Sequence, residues 1–180
     1  MAQTRLTDVL PARRKRKESE PAEMPVAKPI VKRPVIEKLS NPKFKPLAAL
    51  PSAAKPTPCV KGTVAKNSSI LIIQEPWIDL ILDGRKTLEI RGKPCKKQRE
   101  RIYVALSGGG GIILGSVEFV RCHGPLSSSQ WESMAQQHCV GGGKLPYGSS
   151  TYAWEMKSPI KFEEPVRYEH KQGIVVWAKS

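Results

Sequence analysis

The apolar residues change period along this chain, and each change marks an element. Ile70 to Ile73 is an unbroken apolar run, the pattern of a strand buried on both faces. Trp77, Leu80 and Ile81 then recur at i, i+3, i+4, which predicts a short amphipathic helix over 76–83 with Pro76 at its first position. Gly84 can take the left-handed geometry that ends a helix. From Lys86 to Arg91 the period falls to two. Leu88 and Ile90 share a core face, and Thr87, Glu89 and Arg91 share the other. Lys86 is thereby expected near the negative end of the helix, beside a strand that carries both signs of charge.

Residues 100–106 alternate in the same way, with Ile102, Val104 and Leu106 on one face and Arg101, Tyr103 and Ala105 on the other. Gly108 to Gly111 predicts a hairpin turn. It lacks the Lys-Ser/Thr of a phosphate loop and the spacing of a dinucleotide fingerprint. Ile112 to Val120 predicts a long strand that bends at Gly115. Ser129-Gln130-Trp131-Glu132 reads as a capping box opening a helix that runs towards His138, a residue suited to the negative helix end. Thr151 to Met156 is a strand with Tyr152 and Trp154 on one face, and Gly173 to Ala178 is the last strand. The fold class that follows is mostly β (α+β): about six strands and two short helices in a small, closed or nearly closed sheet.

Residues 1–68 have no such periodicity. They hold ten of the chain's 16 prolines, mixed with Lys, Ala and Ser, and cannot bury enough apolar surface to offset their ordering entropy. A disordered, basic Pro/Lys-rich tail over 1–68 is therefore expected ahead of one domain over 69–180. Charge reinforces the division. The chain carries 30 Lys+Arg against 16 Asp+Glu, a net +14, yet residues 1–68 hold 15 basic and 5 acidic residues while 69–180 hold 15 and 11. A polyanionic partner is implied, and the folded part is only mildly basic.

The run Arg13-Arg14-Lys15-Arg16-Lys17 fits a nuclear localisation signal, with sequence-independent phosphate contact as a second use. Ahead of it, Gln3 and Leu6 match a sliding-clamp-binding box, but Val9 and Leu10 stand where that box has aromatics. No apolar run reaches the roughly 18–20 residues that span a bilayer, and the early basic run interrupts any secretory h-region, so no membrane contact is expected. Cys59, Cys95, Cys122 and Cys139 have no close spacing and read as reduced thiols of a nuclear or cytoplasmic protein. Cys122-His123 and His138-Cys139 invite a zinc reading, but adjacent side chains on a strand point to opposite faces; no metal and no cofactor is expected.

The candidate chemistry lies in Lys86, Thr87, Glu89 and Arg91. A guanidinium and an ammonium can bind phosphate or a base edge, and a carboxylate can accept from an exocyclic amine or hold the two cations in place. Arg101 and Tyr103 share a strand face, and Tyr103 is the stacking candidate; Trp77, Trp154 and Trp177 are expected in the core.

Gly84, Lys86, Glu89 and Arg91 match the G-x-K-x-x-E-x-R signature of the ASCH domain family of PUA-like β-barrels, and Ile72-Ile73-Gln74-Glu75-Pro76-Trp77 resembles that family's first strand and helix start. The resemblance runs from about Ser69 to the C-terminus. It implies a barrel whose cleft, marked by Lys86, Glu89 and Arg91, binds RNA or a modified nucleotide. Some bacterial members are amidohydrolases that deacetylate N4-acetylcytidine, which implies a catalytic Lys86; their Thr nucleophile is replaced here by Glu89, which can act as a general base. Recognition by a monomeric module is thus the leading expectation, with the amidohydrolase as the alternative. A nuclear adaptor recruited through its tail is the second alternative.

Overall fold

The computed structural model describes residues 44–52 and 56–180. The clamp-like box at 3–10 and the basic run Arg13–Lys17 lie outside the described residues. Seven strands and three short helices are seen: β1 Cys59–Val60, β2 Ser69–Ile73, α1 Trp77–Leu82, β3 Leu88–Arg91, β4 Arg101–Leu106, β5 Ile112–His123, α2 Ser128–Ser133, α3 Ala135–His138, β6 Tyr152–Arg167 and β7 Trp177–Lys179.

All strands join one sheet in the order β1-β6-β5-β4-β2-β7, with β3 also paired to β6. β2 runs parallel to β4 and antiparallel to β7. The outer strands β1 and β7 are two and three residues long and pair only inwards, so among the described residues the sheet is mostly strand but not closed into the expected barrel.

The 16-residue β6 organises the rest. Its first part pairs with β3, its later part with β1, and it pairs with β5 along most of its length. Ser158 has a positive φ of 48°, and the β5–β6 register shifts between Ser116 and Glu118, so the long ladder bends there. The expected strand over 151–156 is only the beginning of β6, because nothing in that stretch's own pattern marks how far the pairing continues.

The apolar run of β2 divides by residue parity. Leu71 and Ile73 enter one core cluster with Ile78, Ile81 and Leu82 of α1; Ile70 and Ile72 enter a second with Ile113 and Phe162. A third cluster gathers Leu88 and Ile90 of β3 with Leu126, Trp131 and Val140. The capping box sits two residues earlier than the sequence suggested. Ser127 Oγ accepts from Gln130 N at 3.3 Å and Gln130 Oε1 accepts from Ser127 N at 2.9 Å, and the helix breaks at Met134 before α3.

Residues expected within the tail also touch the domain. Pro46 bridges Val140, Leu47 N donates to Cys139 O at 2.8 Å, Gly141 N donates to Lys45 O at 2.8 Å, and Phe44 packs on the third cluster.

Candidate functional site

Gly84 ends α1 with a φ of 75°, and the chain then wraps the helix end: Arg85 N and Lys86 N both donate to Leu80 O at 2.9 Å. That turn sends the Lys86 side chain inward, where only 3% of the residue stays exposed. Its ammonium is shared among three partners. Nζ donates to Leu88 O and His138 O, each at 2.7 Å, and lies 3.6 Å from Glu89 Oε2. It also stands 5.2 Å from the centre of the Trp77 ring. The helix end that Lys86 neutralises is therefore that of α3, not the expected end of α1; only its backbone amide serves α1.

Burial pushes Lys86 below the ordinary lysine value, and the neighbouring Glu89 carboxylate opposes that push. A cation this deep must be paired, and the two carbonyls with the carboxylate supply the pairing.

Glu89 is 7% exposed and holds a second cation, Arg91, whose Nε is 3.0 Å from Glu89 Oε1. The angle is poor, so this buried Nε–H has no hydrogen-bond acceptor among the described residues. Arg91 Nη2 donates to Ile72 O at 3.3 Å, and the guanidinium carbon lies 5.9 Å from the Trp154 ring centre. The alternation of β3 thus sets Glu89 and Arg91 on one face while Leu88 and Ile90 pack against Trp131 on the other.

Lys86, Glu89 and Arg91 line a cleft of about 180 Å³, with Trp77, Tyr147 and Phe44 among its walls and Gln74 and Ser107 as further polar groups. Sites that engulf a drug-sized molecule run to about 300–1,000 Å³. This one has room for a single small ring. Tyr147 reaches the cleft because position 92 is glycine: a Cβ there would come within 2.9 Å of the tyrosine ring. Burial raises the Tyr147 phenol above its ordinary value, keeping it a hydroxyl at neutral pH.

His138 supports the floor from below. It is buried and stacked on Trp131 with ring centres 3.8 Å apart at 13°. Its Nδ1 accepts from Val140 N at 3.0 Å while Nε2 lies 2.9 Å from Trp131 O, an arrangement that needs the neutral ring protonated at Nε2. Burial lowers its affinity for a proton, and the nearby Lys86 charge adds to the effect. His138 does stand in the last turn of its helix, as expected, but as a buried side chain.

Of the six residues expected to bind nucleic acid or nucleotide, Lys86, Glu89 and Arg91 meet in the cleft. Thr87 lines a different hollow beside Met156 and Pro159. Arg101 donates to Ser116 Oγ and Ser158 O, and Tyr103 packs on Phe162 with ring centres 6.2 Å apart. The alternation of β4 was legible, but on its second face Tyr103 packs against Phe162 of β6 and Ala105 is buried, while Arg101 stays exposed away from the cleft. Trp77 proves to be a cleft wall as well as a core residue, Tyr147 lines the cleft with it as one of the chain's few aromatics open to stacking, and Phe44, Gln74 and Ser107 join the site unforeseen. Cys122-His123 and His138-Cys139 do not converge: His123 pairs with Glu155, Cys122 accepts from Cys95 N, and no metal-competent group of His, Cys, Asp or Glu occurs among the described residues.

The geometry has relatives. A serine-to-alanine mutant of ZmASCH from Zymomonas mobilis is similar in fold, with a TM-score of 0.52 and 12% identity over 64% of this chain and 89% of that one. A second crystal structure, of ASCH from Zymomonas mobilis, aligns with a TM-score of 0.45 and 13% identity over 56% of this chain and 71% of that one. No curated protein matches the sequence. The family model for the ASCH domain matches residues 71–166, more than half of the chain. The protein belongs to the ASCH domain family.

Proposed function

We propose that the cleft of Lys86, Glu89 and Arg91 recognises a single base of RNA or of a modified nucleotide. ASCH domains are a PUA-like family associated with RNA binding or hydrolase activity. The observation that carries the reading is a buried carboxylate between two cations, one of which keeps a buried N–H without an acceptor, at the foot of an aromatic-walled cleft. Glu89 offers an acceptor for an amine or ring N–H, Arg91 a donor for a carbonyl or ring nitrogen, and Trp77 and Tyr147 offer faces for stacking.

A second reading, hydrolysis of an acylated nucleoside such as N4-acetylcytidine, draws on the lowered proton affinity of Lys86 in the same cleft. It is the weaker of the two. Lys86 already donates two hydrogen bonds to carbonyls, and Thr87, the hydroxyl beside it in sequence, lies outside the cleft. Incubation with N4-acetylcytidine decides the matter: release of cytidine that disappears in Glu89→Gln would favour the hydrolase, and no release favours recognition.

The binding reading is tested by titrating labelled single-stranded RNA with the full chain across a salt series. Tyr147→Ala and Arg91→Ala should weaken binding at every salt concentration, because base contacts do not act through counterion release. Equal affinity in wild type and both variants would remove the cleft as the site. Nuclear targeting by Arg13–Lys17 is proposed from the sequence alone. A fluorescent fusion should concentrate in the nucleus and lose that distribution when the five residues become Ala; a distribution unaffected by the change would refute the signal.

A further inference from the structure

A second hollow of about 260 Å³ lies on the other side of the C-terminal segment, lined by Trp177, Ile174 and the ammonium-bearing Lys97, Lys171 and Lys179, with Glu169 as its one carboxylate. The same short segment serves both cavities. Val175 lines the cleft and, at 75% exposure, is the most exposed of the large apolar residues described; Ile174 and Trp177 line the hollow.

A ladder of rings and cations joins the two. Arg91 lies 5.9 Å from the Trp154 ring, Trp154 stacks on Trp177 at 5.7 Å and 18°, and Lys97 Nζ lies 5.6 Å from the Trp177 ring. Three contacts, each under 6 Å, therefore lead from the cleft floor to the hollow. Trp154 is fixed in this stack by its Nε1–H, which donates to Lys93 O at 3.0 Å in the basic loop that also carries Lys97.

We infer that the hollow is a second contact for the same ligand, and that the ligand is a single-stranded polynucleotide rather than a free nucleoside. This rests on the base-recognition reading of the cleft. A strand with one base in the cleft would cross the apolar lip at Val175 and lay its neighbouring phosphates against Lys97, Lys171 and Lys179. The combination suits that ligand class: single-strand sites pair a cationic track with apolar and aromatic surface, and need no base-specific groups outside the reading pocket. A free nucleoside would leave the lysines and the exposed Val175 without a role. Lys179 is held in place for the task, since its Nζ donates to Asn67 O at 3.0 Å and Ser69 Oγ at 3.3 Å.

The experiment compares the full-length wild type with a Lys97→Gln, Lys171→Gln, Lys179→Gln variant, both shown to be folded by thermal unfolding. The probes are a labelled single-stranded RNA decanucleotide, the DNA of the same sequence, and a nucleoside 5′-monophosphate. The tail is unaltered in both proteins, so its contribution cancels. Wild type should bind the decanucleotide far more tightly than the monophosphate, and the variant should narrow that gap at least ~10-fold at low salt. The slope of log affinity against log salt should fall by about 2, at ~0.7 for each lost phosphate contact on a single strand. Restoring charge with Lys→Arg at the three positions should recover both. Preference between the RNA and DNA probes identifies the sugar. A variant with the wild-type gap and the wild-type slope overturns the inference. Failure of the cleft reading looks different: Arg91→Ala would then leave decanucleotide binding intact while the three glutamines still lower the slope by about 2.

Discussion

Two carboxylates of this domain are each held between two nitrogen-bearing side chains, on neighbouring rungs of one antiparallel ladder. Glu89 of β3 pairs in register with Trp154, and Glu155 of β6 pairs with Leu88, so the two side chains fall on opposite faces of the sheet. Glu155 has the better distances, with Arg121 Nε and His123 Nε2 both at 2.7 Å, against 3.0 and 3.6 Å for the partners of Glu89. Yet Arg121 is 65% exposed, whereas Lys86 is buried and tied to two carbonyls. Partial burial works to raise the proton affinity of Glu155, but the hydrogen bonds from Arg121 and His123 outweigh it and leave the carboxyl below its ordinary value. Water can replace Arg121. It cannot reach Lys86, whose side chain is almost fully enclosed. Depth, more than distance, separates a surface ion pair from a poised site.

That contrast can be broken in measurable ways. Glu89→Ala leaves the buried Lys86 and the half-buried Arg91 without their shared counter-ion, and should cost about 3–5 kcal/mol in urea unfolding. His123 and His138 extend the comparison. Because burial lowers the proton affinity of His138 in the folded chain, the unfolded chain binds more protons below the ordinary imidazole value near 6.5, and stability falls as pH drops through that window. Protonation at Nδ1 also removes the acceptor for Val140 N–H, an effect of about 1–3 kcal/mol. Melting temperature should therefore fall between pH 8 and 5, and His138→Gln should flatten the curve while His123→Gln leaves it sloping. Glu155→Ala should cost no more than about 1 kcal/mol, and less in high salt. A loss as large as that of Glu89→Ala would erase the distinction between the two faces.

Much of this was written in local pattern. The period change at Gly84 located α1 and β3, and the spacing of Lys86, Glu89 and Arg91 placed three charges that do converge. What local pattern does not encode is which surface is later covered. Tyr103 and Arg101 alternate away from the main core as expected, yet Phe162 of β6 packs on Tyr103 and leaves only Arg101 exposed. Sheet closure also depends on pairing between distant short strands: β1 is too brief to show itself as a period, and β7 takes up only the end of the strand expected over 173–178. Phe44 and Tyr147 enter the cleft from segments without regular structure, Phe44 from a stretch whose prolines and lysines read as tail. Gly92 was the one local sign of Tyr147, since only glycine leaves room for the ring.

The most direct test of base recognition is the affinity of the full chain for single-stranded RNA with and without the Arg91 side chain, at one salt concentration. Arg91 is half-buried at the cleft, and its removal leaves the Lys86–Glu89 pair in place, so Arg91→Ala should remain folded. Fluorescence anisotropy should then show binding weakened by about 10-fold or more, the loss of a contact worth ~1–3 kcal/mol to a base edge. An Arg91→Ala protein that is folded and binds as tightly as wild type would contradict the assignment of the cleft.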